Sequence, residues 1–470
     1  MSEDGVTAIV DFGSTFTKVR IVDASGDLIA AGQDRTTIET DVMEGLEAAL
    51  VDAGAHAVRV PEDVLACSSA GGGLRMVVVG LVDDLTTEAA HQTALGAGAR
   101  VAEVVSGGLR DEAQARALLA TDPDIVLLTG GTDGGDAASL IRGAEVLAAI
   151  GTEVPIVLAG NAEAQDPAAA ILAGSHVVRA PNVLPAIGQI EPDGAREGIR
   201  ELFIAHVIGG KLRTATGRLE EMVRMATPDA GLRGVEVLGR GLVAAGGAGV
   251  VAVDVGGATT DVHSWAPNLA GGATKQELIP QTPAARTVEA DLGMRWNAVG
   301  IVLAGEEEGL LDRVAVARLL PAAERRAQDP SLVARDAEEV EIDRALARTA
   351  ITIALRRHAG ERRMTLTPQG AVVERSGRDL TEVGVLLGVG GVLRALEPTD
   401  LEACLEAARK GRADRLLPRA PRTCIDRAGV LIAAGVLATR DEDAARRLLD
   451  TALNTHDPIP KEEPDAVGQP

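Results

Sequence analysis

Asp254 and Asp261 flank the sequence Val255-Gly256-Gly257-Ala258-Thr259-Thr260. Two carboxylates around a glycine turn and two hydroxyls form the set of groups that a phosphate and its counter-ion require. Glycines let the backbone turn tightly and come close to a ligand, and their N–H groups can face anionic oxygens. The hydroxyls of Thr259 and Thr260 add donors. Carboxylates repel a phosphate unless a hard cation lies between them, so Asp254 and Asp261 imply a metal ion, for which Mg²⁺ fits. The stretch from Gly249 to Ser264 reads as a nucleotide-site element: strand, acid, glycine turn, hydroxyls, acid, strand.

The motif has a partner 243 residues upstream, where Asp11-Phe12-Gly13-Ser14-Thr15-Phe16-Thr17 aligns with Asp254 to Thr260. Each copy follows an apolar β run, and each is followed by a valine, Val19 and Val262. Lys18 ends the first hairpin and is placed to neutralise phosphate. A third glycine turn, Gly388-Val389-Gly390-Gly391, precedes a helical pattern. With 54 glycines in the chain, a single Gly-Gly pair carries little weight. Two copies in matching strand contexts, with the third turn, carry more.

The elements that must hold these residues follow from periodicity. Thr7 to Val22 reads as strand, turn, strand, and Leu28 to Ala31 starts a third strand of an antiparallel meander. Asp41 caps an amphipathic helix to Ala53. Strands at 64–67 and 74–81, a helix at 86–99 and a strand at 101–105 complete the pattern of a ribonuclease-H-like unit. From Asp111 the rhythm becomes strictly α/β. Helices at 111–120, 136–150 and 165–173 alternate with strands at 125–128, 156–158 and 177–178, predicting a small parallel sheet inserted in or appended to the first unit. Pro228 to Ala248, rich in Gly and Ala, reads as a connector with a short amphipathic piece, and the main boundary is placed near residue 240. Beyond it, helical patterns at 287–303, 306–326 and 332–357 precede a hairpin at 363–374, a strand at 383–387, a helix from Val392 and an apolar helix at 427–437. The expected organisation is an N-terminal domain over 1–240, carrying the inserted α/β subdomain at about 111–190. A C-terminal domain covers 241–454, and a mobile Pro- and acid-rich tail covers 455–470.

Composition restricts the function. The 470 residues exceed one ordinary core, and the net charge of −23 argues against non-specific nucleic-acid wrapping. With no Tyr, three Phe and two Trp, base-stacking platforms are not expected. Cys67, Cys404 and Cys424 form no CxxC pattern, so reduced, buried thiols in a cytoplasmic protein are expected. The N-terminus has no basic segment before its apolar run, and the longest charge-free apolar run, Gly241 to Val253, is too short to span a bilayer.

The paired motifs and third glycine turn resemble the phosphate-1, phosphate-2 and adenosine motifs of the actin/Hsp70/sugar kinase ATPase superfamily. That resemblance implies two ribonuclease-H-like domains closing over ATP. Asp11 and Asp254 would orient Mg²⁺ through water. Gly13, Ser14, Thr15, Thr17 and Lys18 would hold the phosphates from one side, and Gly256, Gly257, Thr259 and Thr260 from the other. Asp261 would position the metal shell or the attacking water, and Gly388, Gly390 and Gly391 would seat the adenosine. Narrower stretches point further. They are Cys67 to Met76, Thr86 to Ala99, Leu127 to Gly135, Ala159 to Asn161, Arg286 to Arg295 and Arg357 to Gly360. With the motifs above, they resemble the glutamate mutase (methylaspartate mutase) accessory proteins of the MutL/GlmL type, which are unrelated to the mismatch-repair protein of similar name. The likeness runs from about residue 6 to about 440. It implies an ATP-dependent reactivating factor for an adenosylcobalamin-dependent aminomutase, releasing damaged cobalamin for exchange; a homodimer is compatible with it.

Outside the motifs, Asp133 in Thr129 to Gly135 could bind a metal or partner or simply form a turn, and it is the one candidate for the catalytic Asp that a kinase would need. Glu289 and Asp291 between Arg286 and Arg295 could orient water or form an ion-pair network. Arg75 suits a domain contact, and His358 suits helix-end packing. Two other readings stay open: a small-molecule kinase of the same superfamily, and an actin- or FtsA-like scaffold. The iron–sulfur activators of acyl-CoA dehydratases share the fold, but the scattered cysteines here offer no cluster ligands.

Overall fold

The computed structural model describes residues 5–55, 58–60, 62–208, 219–267, 281–367 and 370–453. The expected tail at 455–470 lies outside them. Strands β1 (Thr7–Phe12), β2 (Phe16–Val22) and β3 (Leu28–Arg35) form the antiparallel meander. Helix α1 (Val42–Asp52) starts at Asp41, whose carboxylate accepts from the Met43 N–H. Strand β4 (Val64–Ser68) then adds to β1 in parallel, and β10 (Val223–Ala226) adds to β4. The sheet order is β10-β4-β1-β2-β3. All six residues of β1 are buried, as a continuous apolar run covered on both faces requires.

The second half rebuilds this sheet. Strands β11 (Val250–Val255), β12 (Thr260–Trp265), β13 (Ala284–Glu289), β16 (Val385–Val389) and β17 (Arg422–Ile425) take the order β17-β16-β11-β12-β13. The registers coincide: Asp11 pairs with Lys18 and Phe12 with Thr17, while Asp254 pairs with Asp261 and Val255 with Thr260. The sequence repeat is a structural repeat of two ribonuclease-H-like sheets.

The third sheet corrects one expectation. Strands β5 (Leu74–Val79) and β6 (Ala99–Val105) do not join the first meander. They pair in parallel with β7 (Ile125–Leu128), β8 (Ile156–Leu158) and β9 (Val177–Arg179), in the order β6-β5-β7-β8-β9. The inserted unit therefore takes in the strands from Leu74 onward, and β10 supplies the fifth strand of the first sheet. A β-α-β rhythm fixes element types but not which sheet a strand joins. This unit also carries α2 (Glu88–Gly96), α3 (Glu112–Leu119), α4 (Ala138–Ile150), α5 (Ala162–Ile171) and α6 (Asp193–Leu202).

The expected connector at 228–248 is instead mostly α7 (Thr227–Ala244), so residue 240 lies in a helix. Its glycines are packing positions. A Cβ on Gly234 would lie 2.2 Å from the Leu431 carbonyl oxygen of a later helix, and one on that helix's Gly435 would lie 1.8 Å from the Ala230 carbonyl oxygen. Only glycine permits this crossing of backbones. Around the crossing, Ile9, Leu65, Val250, Ala252, Val385 and Leu387 from both repeated sheets share one apolar core.

Further differences lie in the second half. Residues 287–289 belong to β13, and the expected helix at 287–303 begins only at α8 (Ala298–Glu307); antiparallel pairing of Thr260 with Glu289 overrides the helical spacing. Helix α9 (Arg313–Gln328) starts at the Asp312 cap, not at 306, and α10 spans Ala337–His358. Strands β14 (Glu361–Thr367) and β15 (Gly370–Ser376) form the expected hairpin. Val392 lies in a short 3₁₀ turn, and the helix proper is α11 (Pro398–Arg409). The expected 427–437 helix is confined to α12 (Leu431–Leu437), and the sequence reading omitted α13 (Glu442–Leu453).

Candidate functional site

The two hairpin turns are built alike. In the first, the Gly13 N–H donates to the Phe16 carbonyl at 3.1 Å; in the second, the Gly256 N–H donates to the Thr259 carbonyl at 2.9 Å. Both turns line one cleft of about 640 Å³, within the range of small-molecule sites. Asp11, Gly13, Ser14, Thr15 and Lys18 line one wall, and Asp254, Gly256, Gly257, Thr259 and Asp261 line another. Gly390 and Gly391 complete it. Thr15 Oγ1 is buried and has no hydrogen-bond partner among the described residues. It points across to the other turn, since a Cβ on Gly257 would lie 3.3 Å from it.

The second turn is clamped from behind. The Met294 N–H donates to the Gly256 carbonyl at 3.0 Å and the Arg295 N–H to the Gly257 carbonyl at 2.8 Å, while Asn297 Nδ2 donates to the Ala258 carbonyl at 2.9 Å. Arg295 is itself fixed by Asp343 at 3.0 Å. These peptide carbonyls are thus turned away from the cleft, a geometry that suits an anion.

The four strand-end residues differ in how their charge is balanced. Lys18 Nζ lies 3.3 Å from Asp11 Oδ2, and Thr227 Oγ1 donates to Asp11 Oδ1 at 2.7 Å. Asp261 is paired with Arg286, whose Nε donates at 2.7 Å, and it also accepts from Thr259 Oγ1 at 2.8 Å. Asp254 accepts no hydrogen bond from the described residues. Burial, opposed by Lys18 and reinforced by Asp261, Asp11 and Asp426, pushes its carboxyl up to about 7. A carboxylate left unpaired among acids, in a cleft that also presents an unpaired hydroxyl, is the donor set a hydrated hard cation with phosphate would satisfy, so the residues fit Mg²⁺ and a nucleotide.

Gly390 packs against the strand end that carries this acid. Its φ is +115°, and a Cβ there would lie 2.4 Å from the Val255 carbonyl oxygen and 3.2 Å from Asp254 Oδ1. Gly391 faces open space. Asp11, Lys18, Asp254, Gly390 and Gly391 also border a chamber of about 40 Å³ at the cleft floor, with Arg20, Cys67 and Asp426.

Three expected contacts lie elsewhere. Thr17 is fully buried, with its hydroxyl 3.1 Å from Thr36 Oγ1. Thr260 is fully buried and donates to the Leu292 carbonyl at 2.6 Å. A Cβ on Gly388 would face Leu393 and Leu401 in the core. The reason is strand alternation: along each hairpin arm, only every second side chain faces the cleft.

The remaining singled-out residues are structural. Asp133 Oδ1 accepts from the Ala162 N–H and Asn182 Nδ2, each at 2.9 Å. Arg75 donates to the Thr121 and Asp122 carbonyls. Glu289 and Asp291 pair with Arg357, at 2.8 and 2.9 Å, and not with their sequence neighbours. His358 ends α10 between Ser264 and Thr287. All three cysteines are free thiols. Burial raises Cys67, pushes Cys404 up to about 12 and Cys424 to about 11, so each is protonated and inert. Sequence reasoning missed Thr227 altogether and saw Arg286 only as a flanking charge; neither lies near its acid in sequence. Among the described residues, no helix is long and apolar enough to cross a membrane.

Comparison with known proteins agrees with the resemblance drawn from the motifs. The family model described as MutL protein matches residues 7–453. Protein MutL of Clostridium tetanomorphum is 36% identical over 461 residues, covering 95% of this chain and 98% of its own. The chain belongs to the MutL family. Among solved structures, a ROK family glucokinase from Streptomyces griseus in complex with glucose and AMPPNP covers 94% of this chain and 99% of its own, at 12% identity and a TM-score of 0.32. Component A of the Acidaminococcus fermentans (R)-2-hydroxyglutaryl-CoA dehydratase covers 94% and 99%, at 9% identity and a TM-score of 0.30. At these scores the fold rests on the chain's own topology.

Proposed function

We propose that this member of the MutL family binds MgATP between its two hairpins and uses hydrolysis to reactivate an adenosylcobalamin-dependent aminomutase, such as glutamate mutase, in the cytoplasm. The observation that carries the nucleotide reading is the pair of like-built turns facing one cleft, with Thr15 Oγ1 unpaired beside Gly257. Gly13, Ser14 and Thr15 hold the phosphates from one side, and Gly256, Gly257 and Thr259 from the other. Gly390 and Gly391 let the adenosine lie against backbone. Asp11 and Asp254 would hold Mg²⁺, which would supply charge neutralisation at the phosphates. Lys18 assists from beside Asp11, at 3.3 Å. Asp261 is already paired with Arg286 and keeps the second turn in place, leaving Asp254 as the acid available to the cation shell and the attacking water. Hydrolysis then rests on positioning and charge stabilisation.

The mutase role is supported by family membership and by the motif resemblance. Its physics is a population shift: the nucleotide states must bind open and closed mutase with different affinity. The kinase alternative gains no support, because Asp133, its candidate base, is tied to Ala162 and Asn182 outside the cleft. The test is to inactivate glutamate mutase with hydroxocobalamin, then add this protein, MgATP and fresh adenosylcobalamin. Turnover is expected to return with wild type and not with Asp254→Ala; equal recovery with the variant would overturn the mechanism.

A further inference from the structure

Asp11 of the first hairpin and Asp261 of the second are both linked to the inserted unit. From the first, Asp11 accepts from Thr227, the opening residue of α7, at 2.7 Å. Two residues on in the same turn, Asp229 is fully buried and holds Arg196 at 3.2 Å and Arg200 at 2.5 Å, both on α6 of the insert. From the second, Asp261 binds Arg286, whose Nη1 donates to the Leu95 and Ala99 carbonyls, each at 2.9 Å, where α2 turns into β6. The two connections meet. Gly98 of that turn lines the cleft, and a Cβ on it would lie 2.9 Å from the Asp229 N atom.

A surface ion pair contributes little and moves freely, but these groups are buried, and a buried guanidinium fork with several fixed acceptors tolerates few arrangements. Arg286 satisfies a carboxylate and two carbonyls at once, so a shift of Asp261 or Thr259 must carry the α2–β6 turn with it or break bonds in a dry environment. The same holds for Thr227 and α6. The hairpins are also tied into the second half: Arg295, whose N–H holds the Gly257 carbonyl, pairs with Asp343, which takes the buried Arg326 of α9 at 2.7 Å, and Arg20 of β2 donates to the Ala428 carbonyl at 2.5 Å.

We infer that the inserted unit between β4 and β10 is the output arm of the nucleotide site, and that Arg286 and the Asp229–Arg196–Arg200 cluster are positioning residues that transmit phosphate occupancy to it. The inference rests on the nucleotide reading above. It assigns the moving surface that a client would feel to the insert, with no change required in the crossing of α7 and α12.

The test is hydrogen exchange on the full chain with and without Mg²⁺ and AMPPNP. In wild type, the analogue slows exchange at both turns, 13–16 and 256–259, and also at 95–100 and 193–202. The expected slowing in the insert is about tenfold, within the usual range for coupled sites. Arg200→Gln keeps analogue affinity within about twofold and the slowing at the turns, yet loses the response at 193–202. Arg200→Lys, which keeps the charge beside Asp229 and controls for folding, restores it. If the turns are slowed while the insert is unchanged in wild type, or if Arg200→Gln responds like wild type, the inference is overturned and the nucleotide reading stands. If the turns themselves are not slowed, the nucleotide reading fails, and the inference with it.

Discussion

Replacing Asp254 by Asn should stabilise the nucleotide-free protein while abolishing its response to MgATP. The wild-type carboxyl sits at the cleft floor with no hydrogen-bond donor among the described residues and three other acids near it, and is pushed from 3.8 to about 7. The sign follows from linkage. A carboxyl raised in the folded state holds its proton longer there than in the unfolded chain, so stability is fully present below 3.8 and is lost as pH rises through about 7. Full burial would make that loss about 4 kcal/mol at pH 8. The cleft admits water beside this group, which reduces the figure to about 2 kcal/mol. Asparagine carries no charge at any pH. The variant should therefore gain about 2 kcal/mol over wild type at pH 8 and gain nothing near pH 4. MgATP at a hundredfold excess over Kd should add about 2.7 kcal/mol to wild type and nothing to the variant. Denaturant titrations at both pH values, with and without MgATP, read all four quantities. A nucleotide-free variant less stable than wild type at pH 8, or one stabilised by MgATP as wild type is, would refute the assignment of Asp254 as an unpaired carboxylate awaiting a cation.

Asp261→Asn should behave in the opposite way: it leaves Arg286 buried without its carboxylate and should cost about 3–5 kcal/mol in a denaturant titration, even without nucleotide. Gly435→Val should force α7 and α12 apart at the Ala230 carbonyl and lower the melting temperature sharply, whereas Gly391→Ala, which faces open space, should leave it unchanged. Burial pushes His358 down to about 3 and His263 to about 4, so only the unfolded chain takes up their protons as pH falls below 6.5. Each should cost about 2 kcal/mol of stability by pH 5, and His358→Asn should remove its share of the difference between titrations at pH 7.5 and pH 5.

The two glycine turns and their flanking acids were legible in the sequence because they are local. Asp-x-Gly with hydroxyls on a β-hairpin fixes a turn, and the same spacing repeated after 243 residues announced the duplicated sheet. Register then follows from the turn, which is why Asp11 and Asp254 fall at corresponding places. Thr17, Thr260 and Gly388 belong to the same motifs, yet they face the core. A motif counts residues, while a pleated strand sends alternate side chains to opposite faces.

Long-range pairing was not legible. Nothing local tells β5 and β6 to leave the meander for the parallel insert, since either placement satisfies their apolar runs. Nor does composition distinguish a glycine that loosens a linker from one that admits another helix; Gly234 and Gly435 became packing residues only when α7 met α12. The sequence by itself determined the two hairpin turns and the acids at their strand ends, because turn chemistry and strand periodicity are encoded within a few neighbours. The tertiary structure alone decided which acid is free and which is spent. Lys18, Thr227 and Arg286 reach their carboxylates across chain separations of 7, 216 and 25 residues, and those partners leave Asp254 as the unpaired charge.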